Sequence, residues 1–143
     1  MAMLRNVSYN NPQINREILK TVGESYSWIE RIKFGGTGSP KLPLLEASSK
    51  IAELLNRDNN LNYCSVEICW NGVIIRFRSL LETYGLIIPF HQLSIFKAGN
   101  KSYSIFLGEH KIKVEAESQK VHKFFSRLLD LRAKQSGTRV EDL

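Results

Sequence analysis

With 143 residues, 43% of them hydrophobic and 24% charged, the chain has the makeup of one globular domain large enough to bury a core. No apolar run approaches the ~20 residues of a membrane span, and Met1–Arg5 lacks the apolar stretch and small-residue cleavage site of a signal peptide, so a cytoplasmic location is expected. A net charge of +6 favours anionic partners: a membrane surface, nucleic acid or an acidic protein.

In chain order, residues 1–25 read as an N-terminal segment with a short helix. Asn11-Pro12 can open that helix, Ile14, Ile18 and Val22 recur at four-residue spacing, and Gly23 closes it. The period then changes. Tyr26, Trp28, Ile32 and Phe34 alternate with Ser27, Ile29, Arg31 and Lys33, with Glu30 out of step, which predicts a strand over 26–34 and opens a single domain spanning 26–135. Residues 35–43 form a glycine-rich loop. The start, Gly35-Gly36-Thr37-Gly38-Ser39-Pro40, is not a Walker-type phosphate loop: Pro40, Lys41 and Leu42 stand where Gly-Lys-Ser/Thr is required. A mobile connection is the expectation. Leu44, Leu45, Ser48, Ile51, Ala52 and Leu55 then trace a helical stripe over 44–57, ended by the polar cluster at 56–60.

Residues 63–115 read as six strands. Cys64, Val66, Ile68 and Trp70 alternate with Ser65, Glu67 and Cys69, and Asn71-Gly72 predicts a type I′ hairpin turn, which needs positive φ at both central residues. Val73, Ile75 and Phe77 alternate with Ile74, Arg76 and Arg78 on the return. Tyr84–Phe90 forms the next run, with Pro89 marking an edge or a strand end. Leu93–Lys97, Tyr103–Leu107 and Ile112–Val114 follow, separated by turns at Ala98-Gly99-Asn100 and Gly108-Glu109. Val121, Phe124, Phe125, Leu128 and Leu129 make one apolar face of a closing helix over 117–135, and residues 136–143 are a flexible polar tail.

The fold class expected is mainly β with added helices: a curved antiparallel sheet or partly open barrel of about seven strands, capped by a C-terminal helix. Two runs carry a resemblance, Trp70-Asn71-Gly72-Val73-Ile74-Ile75 and Leu86-Ile87-Ile88-Pro89-Phe90-His91-Gln92-Leu93-Ser94-Ile95. They resemble the small bacterial pleckstrin-homology-like domains, in which a strand with an apolar-Pro-aromatic step leads into a short turn and one helix closes the strands. The resemblance implies a non-enzymatic binding or scaffold module. Arg76-Phe77-Arg78 matches half of the basic pattern by which many eukaryotic members hold phosphoinositides. The other half is absent, and the closing helix lacks their tryptophan, whose volume Phe124 or Phe125 can fill.

Candidate anion-binding residues are Arg76, Arg78, Lys97, Lys101, Lys111 and Lys113; the pairs at i, i+2 on a strand share a face. The aromatics mostly alternate inward, which disfavours the alternative, a single-stranded nucleic-acid-binding barrel. A small hydrolase ranks third. His91, His110 and His122 are widely spaced; exposure is expected for the last two and a local backbone hydrogen bond for His91. No catalytic residue, metal site or cofactor is predicted. Cys64 and Cys69 lie on opposite faces of one strand, roughly 16 Å apart, beyond the reach of a disulfide. The partner is an unidentified protein or an anionic surface, and a strand edge left open near Pro89 would permit a homodimer.

Overall fold

The structure, a computed structural model, describes residues 3–55, 62–99 and 101–141. Eight strands, numbered in chain order, form one open antiparallel sheet. From one edge to the other they run β1 (Met3–Asn6), β5 (Glu82–Pro89), β4 (Gly72–Ser79), β3 (Tyr63–Ile68), β2 (Leu42–Ala47), β8 (His110–Glu115), β7 (Ser102–Leu107) and β6 (Leu93–Ala98). Two meanders, β3–β4–β5 and β6–β7–β8, are joined by β2. Its first residues pair with β3 (Leu42↔Cys64, Pro43↔Tyr63) and its last with β8 (Leu44↔Val114, Ala47↔Ile112), with a register shift between Leu44 and Glu46. Such an irregularity bends a strand and steepens its twist, so one strand can serve both meanders.

The core lies on the face that receives the inward residues of both meanders, including Val66, Ile75, Leu86, Ile105 and Val114. The C-terminal helix α4 (Gln119–Glu141) closes it with Val121, Phe124, Phe125, Leu128 and Leu131. Phe124 and Phe125 are both fully buried; removing either ring costs about 3–5 kcal/mol by the usual large-to-small scale. Leu129 points outward and Leu131 replaces it in the apolar face. The helix continues through the segment expected to be a flexible tail, as far as Glu141.

The opposite face of β4 and β5 is covered in part by α1 (Pro12–Val22). Asn11 caps α1 by accepting from the backbone N–H groups of Gln13 and Ile14, and Pro12 sits where its missing donor is not needed. Val22, Ile18, Ile74, Ile87, Cys69 and Met3 then form a second, smaller core. Residues 3–23 are therefore packed onto the sheet, and β1 pairs with β5 in register (Leu4↔Leu86).

Four local expectations are corrected. Residues 28–34 are helix α2 (Trp28–Phe34), not a strand: Ser27 and Glu30 form a reciprocal capping box and Gly35 ends the helix in the left-handed conformation. Residues 42–47 are strand β2, and the helix expected over 44–57 shrinks to α3 (Ser49–Leu55); its expected last residues, 56 and 57, lie outside the described ones. Strand pairing on two sides, with β3 and then β8, outweighs the local helical stripe. The loop after α2 is held along β3: Ile68 N–H donates to Thr37 O (2.8 Å), and Ser39 N–H donates to Val66 O (2.8 Å). Finally, Trp70-Asn71, not Asn71-Gly72, forms the hairpin tip, because Cys69 N–H donates to Gly72 O and Ile68 pairs with Val73. Neither Asn71 nor Gly72 has positive φ.

Pro89 is the last residue of β5, the strand end that its missing donor allows; on its other flank from β4, β5 is paired with β1 from Tyr84 to Ile87. The sheet edges are β1 and β6.

Candidate functional site

Alternation along β4 sends Val73, Ile75 and Phe77 into the core and Ile74, Arg76 and Arg78 to the opposite face. α1 covers Ile74, and Arg76 and Arg78 lie beyond its reach, half-buried and exposed respectively. Opposite them on β3, Ser65 pairs with Arg76 and Tyr63 follows. Lys41, brought in by the pairing of Leu42 with Cys64, completes a cleft of about 550 Å³ lined by Lys41, Tyr63, Ser65, Arg76, Arg78 and Leu80 among others.

The two arginines differ. Arg76 Nη1 donates to Glu67 Oε1 at 2.8 Å, and Glu67 also accepts from Ser25 Oγ at 2.9 Å and lies 3.9 Å from Arg31 Nη2. Arg78 and Lys41 have no ion pair among the described residues, and both are exposed. They are the cations available to a ligand, and Arg76 is shared with Glu67.

The cleft ends at the β4–β5 hairpin tip, Leu80-Leu81. Leu80 has a φ of 58°, which costs an L-residue roughly 1–2 kcal/mol, and the two leucines are 54% and 88% exposed. In the other direction the cleft meets a second hollow of about 580 Å³, which shares Ser65 and Arg76 and adds Arg31, Thr37, Ser39 and Glu67. One continuous face therefore runs from α2 to the hairpin tip.

The remaining predicted residues lie elsewhere. Lys111 and Lys113 are on β8, separated from β4 by β3 and β2, a span of about 14 Å by strand spacing. Lys97 lies near the end of β6, and Lys101 sits in the turn before β7. The six cations do not form one patch. Lys111 Nζ lies 5.5 Å from the centre of the Phe106 ring, which meets Phe96 edge-on at 5.7 Å. Phe96 and Phe106 point outward, 59% and 38% exposed, as exceptions to the mostly inward pattern expected of the aromatics.

The histidines are also redistributed. His110 is buried, and His122 Nδ1 shares a 2.8 Å hydrogen bond with the Tyr103 hydroxyl, whose ring stacks on Phe125 at 4.1 Å. Both were expected at the surface. His91 is exposed in a 3-10 turn at Phe90–Gln92. Cys64 and Cys69 are free and buried, and burial pushes each thiol up from about 9 to about 12. Neither is activated as a nucleophile. Among the described residues no three His, Cys, Asp or Glu side chains are grouped to hold a metal ion, and no helix is long and apolar enough to cross a membrane.

Two features were missed in the sequence. Lys41 is remote from Arg78 along the chain, and only the β2–β3 pairing joins them. The outward apolar residues of α2 were read as a strand, although Ser27-x-x-Glu30 is a capping-box signature that marks a helix start. Compared with known proteins, the chain matches no family model, no curated sequence and no solved structure.

Proposed function

We propose that this protein is a non-catalytic, cytoplasmic binding module of pleckstrin-homology-like type, whose outer sheet face docks on an anionic membrane surface. The fold part of this reading is supported by two antiparallel meanders joined through one bent strand and followed directly by a closing helix. The functional part is carried by a single observation: Lys41 and Arg78, unpaired among the described residues, converge on one cleft whose rim is the exposed Leu80-Leu81 tip. Cations beside exposed apolar residues suit a surface that is anionic outside and apolar beneath.

Co-sedimentation with phosphatidylcholine vesicles, with and without phosphatidylserine, tests the reading. Binding should require phosphatidylserine and weaken as salt rises. A basic residue near such a surface contributes about 1 kcal/mol, so Lys41→Ala/Arg78→Ala should lower partitioning about thirtyfold. Equal binding to both vesicle types, or an unaffected double variant, sinks it. Phe96, Phe106, Lys111 and Lys113 on the outer face of β6–β8 support a second reading, stacking and charge contacts with a single-stranded nucleic acid. An oligonucleotide mobility shift abolished by Phe96→Ala/Lys113→Ala, with no vesicle binding, would favour that one.

A further inference from the structure

α2 presents its apolar residues to solvent. Trp28, Ile29 and Ile32 are 70%, 62% and 71% exposed, and the spacings i, i+3 and i, i+4 to Ile32 gather them on one side of the helix. This is the reverse of a helix that docks on its own core.

The helix is nevertheless firmly mounted. The Ser27–Glu30 capping box holds its start, and Gly35 and Gly36 N–H groups return to Ile32 and Arg31 carbonyls at its end. Arg31 Nε donates to Tyr26 O at 2.9 Å, and Arg127 Nη1, from α4, donates to Gly36 O at 3.0 Å. The apolar side is therefore a fixed feature of the surface. Clustered exposed apolar residues of this kind mark an interaction site.

The surrounding charges select the occupant. Arg31 and Lys33 lie on α2 itself and Arg127 borders it. Of the acids on α2 and in the hollow beside it, Glu30 is held by the cap and Glu67 by Arg76, Arg31 and Ser25. A tryptophan and two isoleucines flanked by cations suit a bilayer interface, where the rings and branched chains enter the acyl boundary and the long basic side chains reach the headgroups. The hollow beside α2 shares Ser65 and Arg76 with the Lys41–Arg78 cleft, so headgroups on the cleft bring the bilayer next to α2.

We infer that α2 is an interfacial anchor, with Trp28, Ile29 and Ile32 inserted into an anionic bilayer whose headgroups lie on the Lys41–Arg78 cleft. The inference rests on the anionic-surface reading. Its test uses the full chain and two measurements. Trp28→Gln/Ile29→Gln/Ile32→Gln replaces only exposed side chains, and a matched thermal melt checks its fold; it should bind phosphatidylserine-containing vesicles at least about tenfold more weakly than wild type. In a Trp70→Phe background, Trp28 is the sole tryptophan; its emission should shift to the blue on vesicle addition and be quenched by lipids brominated on the acyl chain.

Wild-type binding retained in the triple variant, with Trp28 emission unmoved, overturns the anchor and leaves the cleft reading standing. Wild-type protein that ignores phosphatidylserine vesicles overturns both. If instead the triple variant abolishes a concentration-dependent dimer and leaves vesicle binding unchanged, the face is a contact between two copies, and the anchor is overturned.

Discussion

Gly72→Ala separates two accounts of the Asn71-Gly72 pair. If the pair formed a type I′ turn, Gly72 would be needed for positive φ, and alanine there would cost about 1 kcal/mol of left-handed strain. The structure gives a different reason. A β-carbon at Gly72 would lie 2.2 Å from Ile88 O, 2.6 Å from Val22 Cγ1 and 2.9 Å from Pro89 Cα. Two of the three are backbone atoms of the paired strand β5, where Gly72 faces Pro89, so relief requires parting β4 from β5 or lifting α1. Overpacking of a tight site costs roughly 1–3 kcal/mol and occasionally more; with backbone as the obstacle, about 3 kcal/mol is expected. At this chain length each kcal/mol lowers Tm by about 3–5 °C, giving a loss of about 10–15 °C in a thermal melt followed by circular dichroism. Val22→Ala in the same chain should not restore stability, since it leaves the Ile88 carbonyl in place. A loss under about 1 kcal/mol, or full rescue by Val22→Ala, would refute the close-approach argument.

Glu67→Gln should strengthen binding to phosphatidylserine vesicles several-fold, because it releases Arg76 and Arg31 from a carboxylate that now holds both; unchanged or weaker binding, measured by co-sedimentation at matched salt, would count against the cationic face. Cys64 and Cys69 should react with a thiol reagent at pH 8 only when the protein is unfolded. Their folded values stand above the ordinary thiol value, so the unfolded chain gives up these protons first. Stability should hold below about pH 9 and fall as pH rises from about 9 to about 12. Denaturant titrations on either side of pH 9 check the sign, and rising stability through that window would contradict it.

The parts of the fold legible in the chain were those in which local pattern and tertiary environment agree. Period-two alternation located all six strands between Tyr63 and Glu115, and the Val121–Leu128 repeat located the closing helix. α1 was legible from Asn11-Pro12 and its four-residue spacing. The failures came where apolar residues do something other than fill the main core. Trp28 and Ile32 were read as alternating residues of a strand; they lie exposed on a helix fixed by caps at both ends. Leu44 and Leu45 matched a helical stripe, but their segment is strand β2, which pairs with two neighbours far away in sequence. Of the candidate site, Arg76 and Arg78 were readable because i, i+2 on a strand means one face. Lys41 was not.

By itself, then, the amino-acid order determined the elements from Tyr63 to the closing helix, which face of those strands was apolar, and that the chain carries excess positive charge. Those properties are local, set by backbone sterics and side-chain polarity within a few residues. Only the tertiary structure decided which cations share a cleft, that Glu67 occupies one of them, that Gly72 is required for contact distance instead of turn geometry, and that the apolar side of α2 is left uncovered. Each of these depends on pairings between strands distant in sequence, and no local preference of the residues involved encodes them.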